Sequence, residues 1–179
     1  MSSQLSHHSA KFKKGKFPVV LIADGVNGPA NIGSLFRISD AFNIEKLILC
    51  GPETDLSSPR LIKTARGTLK NVPFEQQKNT FQVCEEYSKE GYILLALEIT
   101  ESSASLDSFS FDEYTKIALI IGNENFGIDK EILKLVQNSI HINMFGENSS
   151  MNVAQSAGIA LYEITKCMSL SRNNNIFTL

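Results

Sequence analysis

The sequence has no tryptophan, only three cysteines and five prolines, and no long apolar run. Each shortage excludes something. A helix that crosses a bilayer needs about 20 consecutive apolar residues, and nothing here approaches that length. The N-terminal stretch, MSSQLSHHSAKFKKGK, lacks the apolar core of a secretory signal. Cys50, Cys84 and Cys167 are odd in number and far apart, which suits neither a disulfide framework nor paired zinc-ligand spacing. They read as reduced thiols of a cytoplasmic protein. No G-x-x-x-x-G-K-[ST] occurs. Gly25, Gly28 and Gly33 are wrongly spaced for G-x-G-x-x-G, and Pro29 interrupts that turn, so both phosphate-cradling motifs are absent. No Ser, His and Asp set sits in a nucleophile elbow. His141 lies inside an apolar stretch and reads as a hydrogen-bonded structural residue.

Acid is missing from one segment. Residues 1–16 hold Lys11, Lys13, Lys14 and Lys16 and no Asp or Glu, leaving thirteen basic against nineteen acidic residues in the remainder. A second basic cluster is Arg60, Lys63, Arg66 and Lys70. Two such clusters in an acidic chain fit a nucleic-acid groove, and they fit solvated surface charge equally well.

What is present is an alternation of apolar runs and helical patterns. With 179 residues, one domain is expected. The expected divisions are a flexible basic arm over 1–16, a domain over 17–168 and a short tail over 169–179. The runs FPVVLIA (17–23), KLILC (46–50), YILLAL (92–97) and KIALII (116–121) predict buried strands, with weaker strands at 71–75 and 140–144. Helices are expected at about 32–42, 60–65, 80–89 and 129–136, and beyond residue 150. Continuously apolar strands alternating with helices mean an α/β fold, its mostly parallel sheet covered by helices on both faces.

Three strand-associated loops carry the polar chemistry: VNGPANIGSLFR, IIGNENFGI and MFGENSSMN. Ligands of open parallel sheets sit outside the carboxyl ends of the strands, although any one of these loops could be a plain turn. After the third loop, Ser150 is expected to cap a helix. That helix carries a stripe of Ala154, Ala157, Gly158, Leu161, Thr165 and Met168 at spacings of three and four. Small residues in a row invite close packing, here expected at an interface.

In this order and spacing the loops resemble the three motifs of the SpoU (TrmH) family of RNA ribose 2′-O-methyltransferases, within the SPOUT superfamily. Asn31, Gly33 and Arg37 match the first motif, and Gly122, Asn123, Glu124 and Gly127 the second. Ile142, Met144, Gly146, Ser150, Met151, Asn152 and Val153 match the third. The resemblance spans Val19 to Cys167. Asn143 stands where the family usually has Pro, Asn125 where it has Gly, and Met151 where it has Leu.

The resemblance implies a C-terminal trefoil knot, a homodimer and an S-adenosylmethionine-dependent methylation of a ribose 2′-hydroxyl in structured RNA. A minimal chain suits a compact substrate, so tRNA is expected more than rRNA. Neither a metal nor a membrane is implied. It places Arg37, Asn31, Glu124, Ser150 and Asn152 at the reaction, with Gly33 leaving room for the ribose-phosphate backbone. Glu124 would orient Arg37 or Asn31, and Asn31 would hold Arg37 or the ribose. Leu97, Gly122, Asn123, Ile142, Met144, Gly146 and Met151 are implied for the cofactor. Lys11, Lys13, Lys14, Arg60, Lys63 and Arg66 are expected to meet RNA. The competing readings are a catalytically idle RNA-binding dimer of the same fold and an unrelated nucleotide-binding α/β protein.

Overall fold

The computed structural model describes residues 15–174. The elements run β1 (Phe17–Asp24), α1 (Pro29–Phe42), β2 (Ile44–Cys50), α2 (Pro59–Ala65), β3 (Phe74–Gln77), α3 (Thr80–Lys89) and β4 (Ile93–Leu97). They continue with β5 (Ala104–Ser105), β6 (Ile117–Ile121), α4 (Lys130–Leu135), β7 (Asn138–His141) and α5 (Val153–Asn174). The strands form one sheet in the order β3-β2-β1-β6-β4-β7-β5, and every neighbouring pair is parallel. All seven carboxyl ends therefore lie along one edge.

The apolar runs are continuous because both faces of the sheet are covered. Val19, Leu21 and Ala23 of β1 join Leu47, Leu119 and residues of α1, α2 and α5 in one core. Val20 and Ile22 point the other way, into a second core with Ile48, Ile120, Val83 and Cys84 of α3, and Ile132 of α4. Cys50 and Cys84 belong to this second core, and burial pushes both thiols up to about 12. At neutral pH they are protonated packing groups, not nucleophiles. Asn43 ends α1 in the left-handed region, φ 46°, which Asn tolerates better than most residues. The turn delivers the chain directly into β2.

Several expectations need correction. First, β7 lies at 138–141 rather than 140–144, so Ile142 and Met144 belong to the following loop. Second, α5 begins at Val153, and its first amides are capped by the Asn152 side chain, whose Oδ1 accepts from the N–H groups of Ala154 (3.1 Å) and Gln155 (3.3 Å). Ser150 caps nothing. Third, α5 continues to Asn174, past the boundary expected at 168. Fourth, the small-residue stripe is an internal seam. Ala154, Ala157, Leu161, Thr165 and Met168 are buried within this chain, and Gly158 lies against Ile38 of α1. β3 also sits later than expected, at 74–77, and the two-residue β5 had no signature in the sequence.

Candidate functional site

Because all strands point the same way, the loops after β1, β6, β4 and β7 lie along one edge. There the loops after β4, β6 and β7 enclose a cavity of about 660 Å³ whose lining includes Leu97, Ile121, Gly122, Ile142, Met144 and Met151. Glu98, Asn123, Glu124, His141, Ser150 and Asn152 add its polar surface. Leu97, Gly122, Asn123, Ile142, Met144 and Met151 thus meet at the cavity, as do Glu124, Ser150 and Asn152. Gly146 lies on the same loop but does not line it.

The loop after β6 is rigidly specified. A Cβ on Gly122 would stand 2.2 Å from the Gly127 carbonyl carbon and 2.4 Å from the Ile128 nitrogen, so only glycine fits. Asn123 and Gly127 exchange backbone hydrogen bonds at 3.0 and 2.9 Å. The Asn123 side chain donates to the Gly25 carbonyl at 2.7 Å and accepts from the Asn125 amide at 2.9 Å. Asn123 therefore stitches the β6 loop to the β1 loop.

Glu98 supports the other side of that loop. Its carboxylate accepts from the amides of Ile99 (2.9 Å) and Ile128 (3.3 Å), and Gly127, at φ +68°, presses close against it. Glu98 has no signature in the sequence, since a single acid after an apolar strand carries no spacing pattern. Only the approach of β4 to β6 brings it to the cavity.

A chain of side chains joins the three motif loops. Asn152 donates to Asn31 Oδ1 at 2.9 Å, and Asn31 Nδ2 donates to Glu124 Oε1 at 2.6 Å. Asn31 stands in the first turn of α1 and Asn152 at the start of α5, so both helix starts are tied to the β6 loop. Gly28 makes room for this, because a Cβ there would lie 2.8 Å from Glu124 Oε1. Glu124 thus holds Asn31, not Arg37.

Arg37 is exposed on α1 outside the cavity lining, and its side chain makes no hydrogen bond or ion pair to a described residue. Gly33, one turn earlier, is not a space left for a ligand. A Cβ there would meet the Leu61 carbonyl at 2.6 Å and Thr64 Cβ at 2.9 Å, so Gly33 lets α2 pack against α1. Through that packing α2 becomes the neighbour of the face that carries Arg37. Arg60 and Lys63 on α2, and Arg66 just after it, are exposed and engage no acid among the described residues. Lys11, Lys13 and Lys14 lie outside the described residues.

The loop after β7 is the open wall. Residues 145–150 are exposed and make no hydrogen bond to any other described residue. Asn143 anchors the start of this loop by donating to Ser105 Oγ at 2.7 Å, so the residue standing for the family's Pro ties it to β5. His141 pairs with Ser103 Oγ at 2.9 Å. Phe126 and Phe145 project from the two loops, 88% and 96% exposed. No cluster of three His, Cys, Asp or Glu able to hold a metal occurs among the described residues.

Comparison with known proteins decides the family. The family model described as the SpoU rRNA methylase family matches residues 18–162, most of the chain and all three loops. The chain belongs to that family. This SpoU-family chain is 29% identical over 148 residues to the 23S rRNA (uridine(2479)-2′-O)-methyltransferase of Streptomyces viridochromogenes, covering 82% of the chain and 52% of that protein.

Among solved structures, the SpoU methyltransferase AviRb from the same organism, in complex with AdoMet, aligns with a TM-score of 0.73 at 27% identity, covering 86% of this chain and 58% of that one. A structure described by its insights into the 2-OH methylation of C/U34 on tRNA aligns with a TM-score of 0.74 at 26% identity, covering 84% and 96%. The chain spans little more than half the length of the first curated relatives it matches.

Proposed function

We propose that this protein is an S-adenosylmethionine-dependent RNA methyltransferase acting on a ribose 2′-hydroxyl, with tRNA favoured over rRNA. The observation that carries the reading is the Asn152–Asn31–Glu124 chain, which ties the first family motif to two residues, Glu124 and Asn152, that line the cavity. The relatives' names support the chemistry. The near-complete overlap with a compact structure concerned with tRNA supports the substrate preference.

The residues present fit the cofactor. Leu97, Ile142, Met144 and Met151 offer apolar surface to an adenosyl group, and loop backbone supplies hydrogen-bonding groups without a bulky side chain in the way. When bound, S-adenosylmethionine supplies an electrophilic methyl group on a sulfonium. The rest is positioning and charge. Arg37 is permanently cationic, so it does not act as a base. Its fork is suited to grip the phosphate beside the target ribose and to stabilise negative charge growing on the 2′-oxygen. The proton leaves to that phosphate or to solvent as the new bond forms. Asn31, locked at both ends by Glu124 and Asn152, orients the ribose, and Ser150 offers a free hydroxyl at the same wall.

Arg60, Lys63 and Arg66 extend the cationic surface for further phosphates, and Lys11, Lys13 and Lys14 continue it in this reading. Phe126 and Phe145 present faces on which unstacked bases can rest. A homodimer and a knotted C-terminal segment complete the reading, with the cytoplasm as the setting where RNA and cofactor meet. On α5, Ile159, Tyr162 and Leu170 remain exposed on one side and offer the second chain an apolar row.

The test is transfer of labelled methyl groups into bulk tRNA and bulk rRNA by the parent and by Arg37→Ala. The expected result is label in tRNA, reduced about 100-fold or more by the substitution. Binding of RNA without labelling of either pool would favour the idle binding dimer.

A further inference from the structure

The cavity is charged in one sense only. Of its lining residues, Glu98 and Glu124 carry carboxylates, whereas no lysine or arginine among the described residues lines it. His141 already has Ser103 as its partner. The two acids are held by different means. Glu98 is fixed by the amides of Ile99 and Ile128, and Glu124 by Asn31. Neither is neutralised by an ion pair among the described residues. Their charge therefore remains available to whatever occupies the cavity, in surroundings less polar than water, where an opposite charge is felt more strongly.

We infer that Glu98 and Glu124 make the cavity selective for a cationic adenosyl ligand over its neutral thioether counterpart. This rests on the cofactor reading above and adds a specificity that the fold alone does not require. The sulfonium cofactor carries one positive charge more than the thioether product, while the adenosyl and amino-acid parts are the same. Two fixed carboxylates lining the same cavity favour the charged substrate form. Methyl transfer removes the charge, so the product loses the attraction and leaves more readily. For partly solvated carboxylates the effect is about three- to fourfold in affinity for each, reduced by salt.

The test is calorimetric binding of three ligands to the full chain, without RNA. They are S-adenosylmethionine, S-adenosylhomocysteine, and sinefungin, which places a protonated amine where the sulfonium stands. The two cationic ligands should bind roughly ten- to twentyfold tighter than the thioether at low salt. Raising the salt concentration should narrow that ratio.

Glu98→Gln and Glu124→Gln should each lower the ratio several-fold. The ratio is read rather than the affinity, because a loop disturbed by substitution weakens all three ligands alike. Equal affinities for all three in the parent would overturn the inference while leaving the cofactor reading intact. So would a ratio insensitive to both substitutions and to salt. Failure of all three ligands to bind the parent would instead remove the cofactor reading itself, and the inference with it.

Discussion

Two walls of the same cavity are built by opposite means. The β6 loop, 122–127, is closed on itself by paired backbone hydrogen bonds, stitched to β1 by Asn123 and supported by Glu98. The β7 loop leaves residues 145–150 exposed and without hydrogen bonds to other described residues. Both are motif loops and both contain a motif glycine. Gly122 leaves no room for a Cβ, whereas Gly146 has nothing within 4 Å of one. The first wall is set by the fold before any ligand arrives. The second is free to be ordered by a ligand, which suits the exchange of cofactor and RNA proposed above.

The sharpest way to break this contrast is to give both glycines a methyl group. Gly122→Ala should cost at least about 3 kcal/mol of stability, since backbone must move to admit the new atom. Gly146→Ala should stay within about 0.5 kcal/mol. Denaturant unfolding of the two variants reads both values. Similar losses would mean that the walls do not differ.

A smaller effect separates two neighbours on the open wall. Asn152→Ala removes the cap of α5 and the bond to Asn31, and should cost about 1 kcal/mol. Ser150→Ala, which removes no hydrogen bond, should be neutral to within about 0.5 kcal/mol. Their effects on methyl transfer should be closer together than their effects on stability.

Limited proteolysis compares the walls without substitution. Cleavage should begin within 145–150, spare 122–127, and slow several-fold when S-adenosylmethionine is added. Cleavage at the β6 loop first would reverse the comparison.

The smallest expected effect lies far from either wall, at the ion pair of Lys46 and Glu75 (2.5 Å). The hydrogen bond from Lys46 holds the Glu75 carboxyl below its ordinary value of 4.5. Its contribution is therefore complete above that value and lost as the pH falls through the lowered folded value. The pair is largely solvated, so Glu75→Gln should cost under about 1 kcal/mol at pH 7 and nothing at strongly acidic pH. Unfolding at the two pH values checks the sign.

The scaffold was legible where chemistry and local pattern coincide. Runs such as VVLIA and KIALII could only be doubly buried strands, and α3 falls at Thr80–Lys89 as its periodicity predicts. The family was legible from ordered motifs. What failed depended on contacts between distant segments. Gly33 shares a helix face with Arg37, and only the arrival of α2 shows that its missing side chain serves packing. Ser150 is as good a cap by type as Asn152, but Asn152 both caps α5 and reaches Asn31. Glu98 needed β4 beside β6. The stripe on α5 correctly announced close packing but gave no hint that its partner was α1 of the same chain.

The central claim is that this cavity serves methylation of a ribose oxygen, and the position of the transferred methyl group tests it most directly. RNA labelled by the parent enzyme would be hydrolysed in alkali, which cleaves only where the 2′-hydroxyl is free. The account predicts that the label survives in alkali-resistant dinucleotides. Label recovered in mononucleotides would place the methyl group on a base and contradict it.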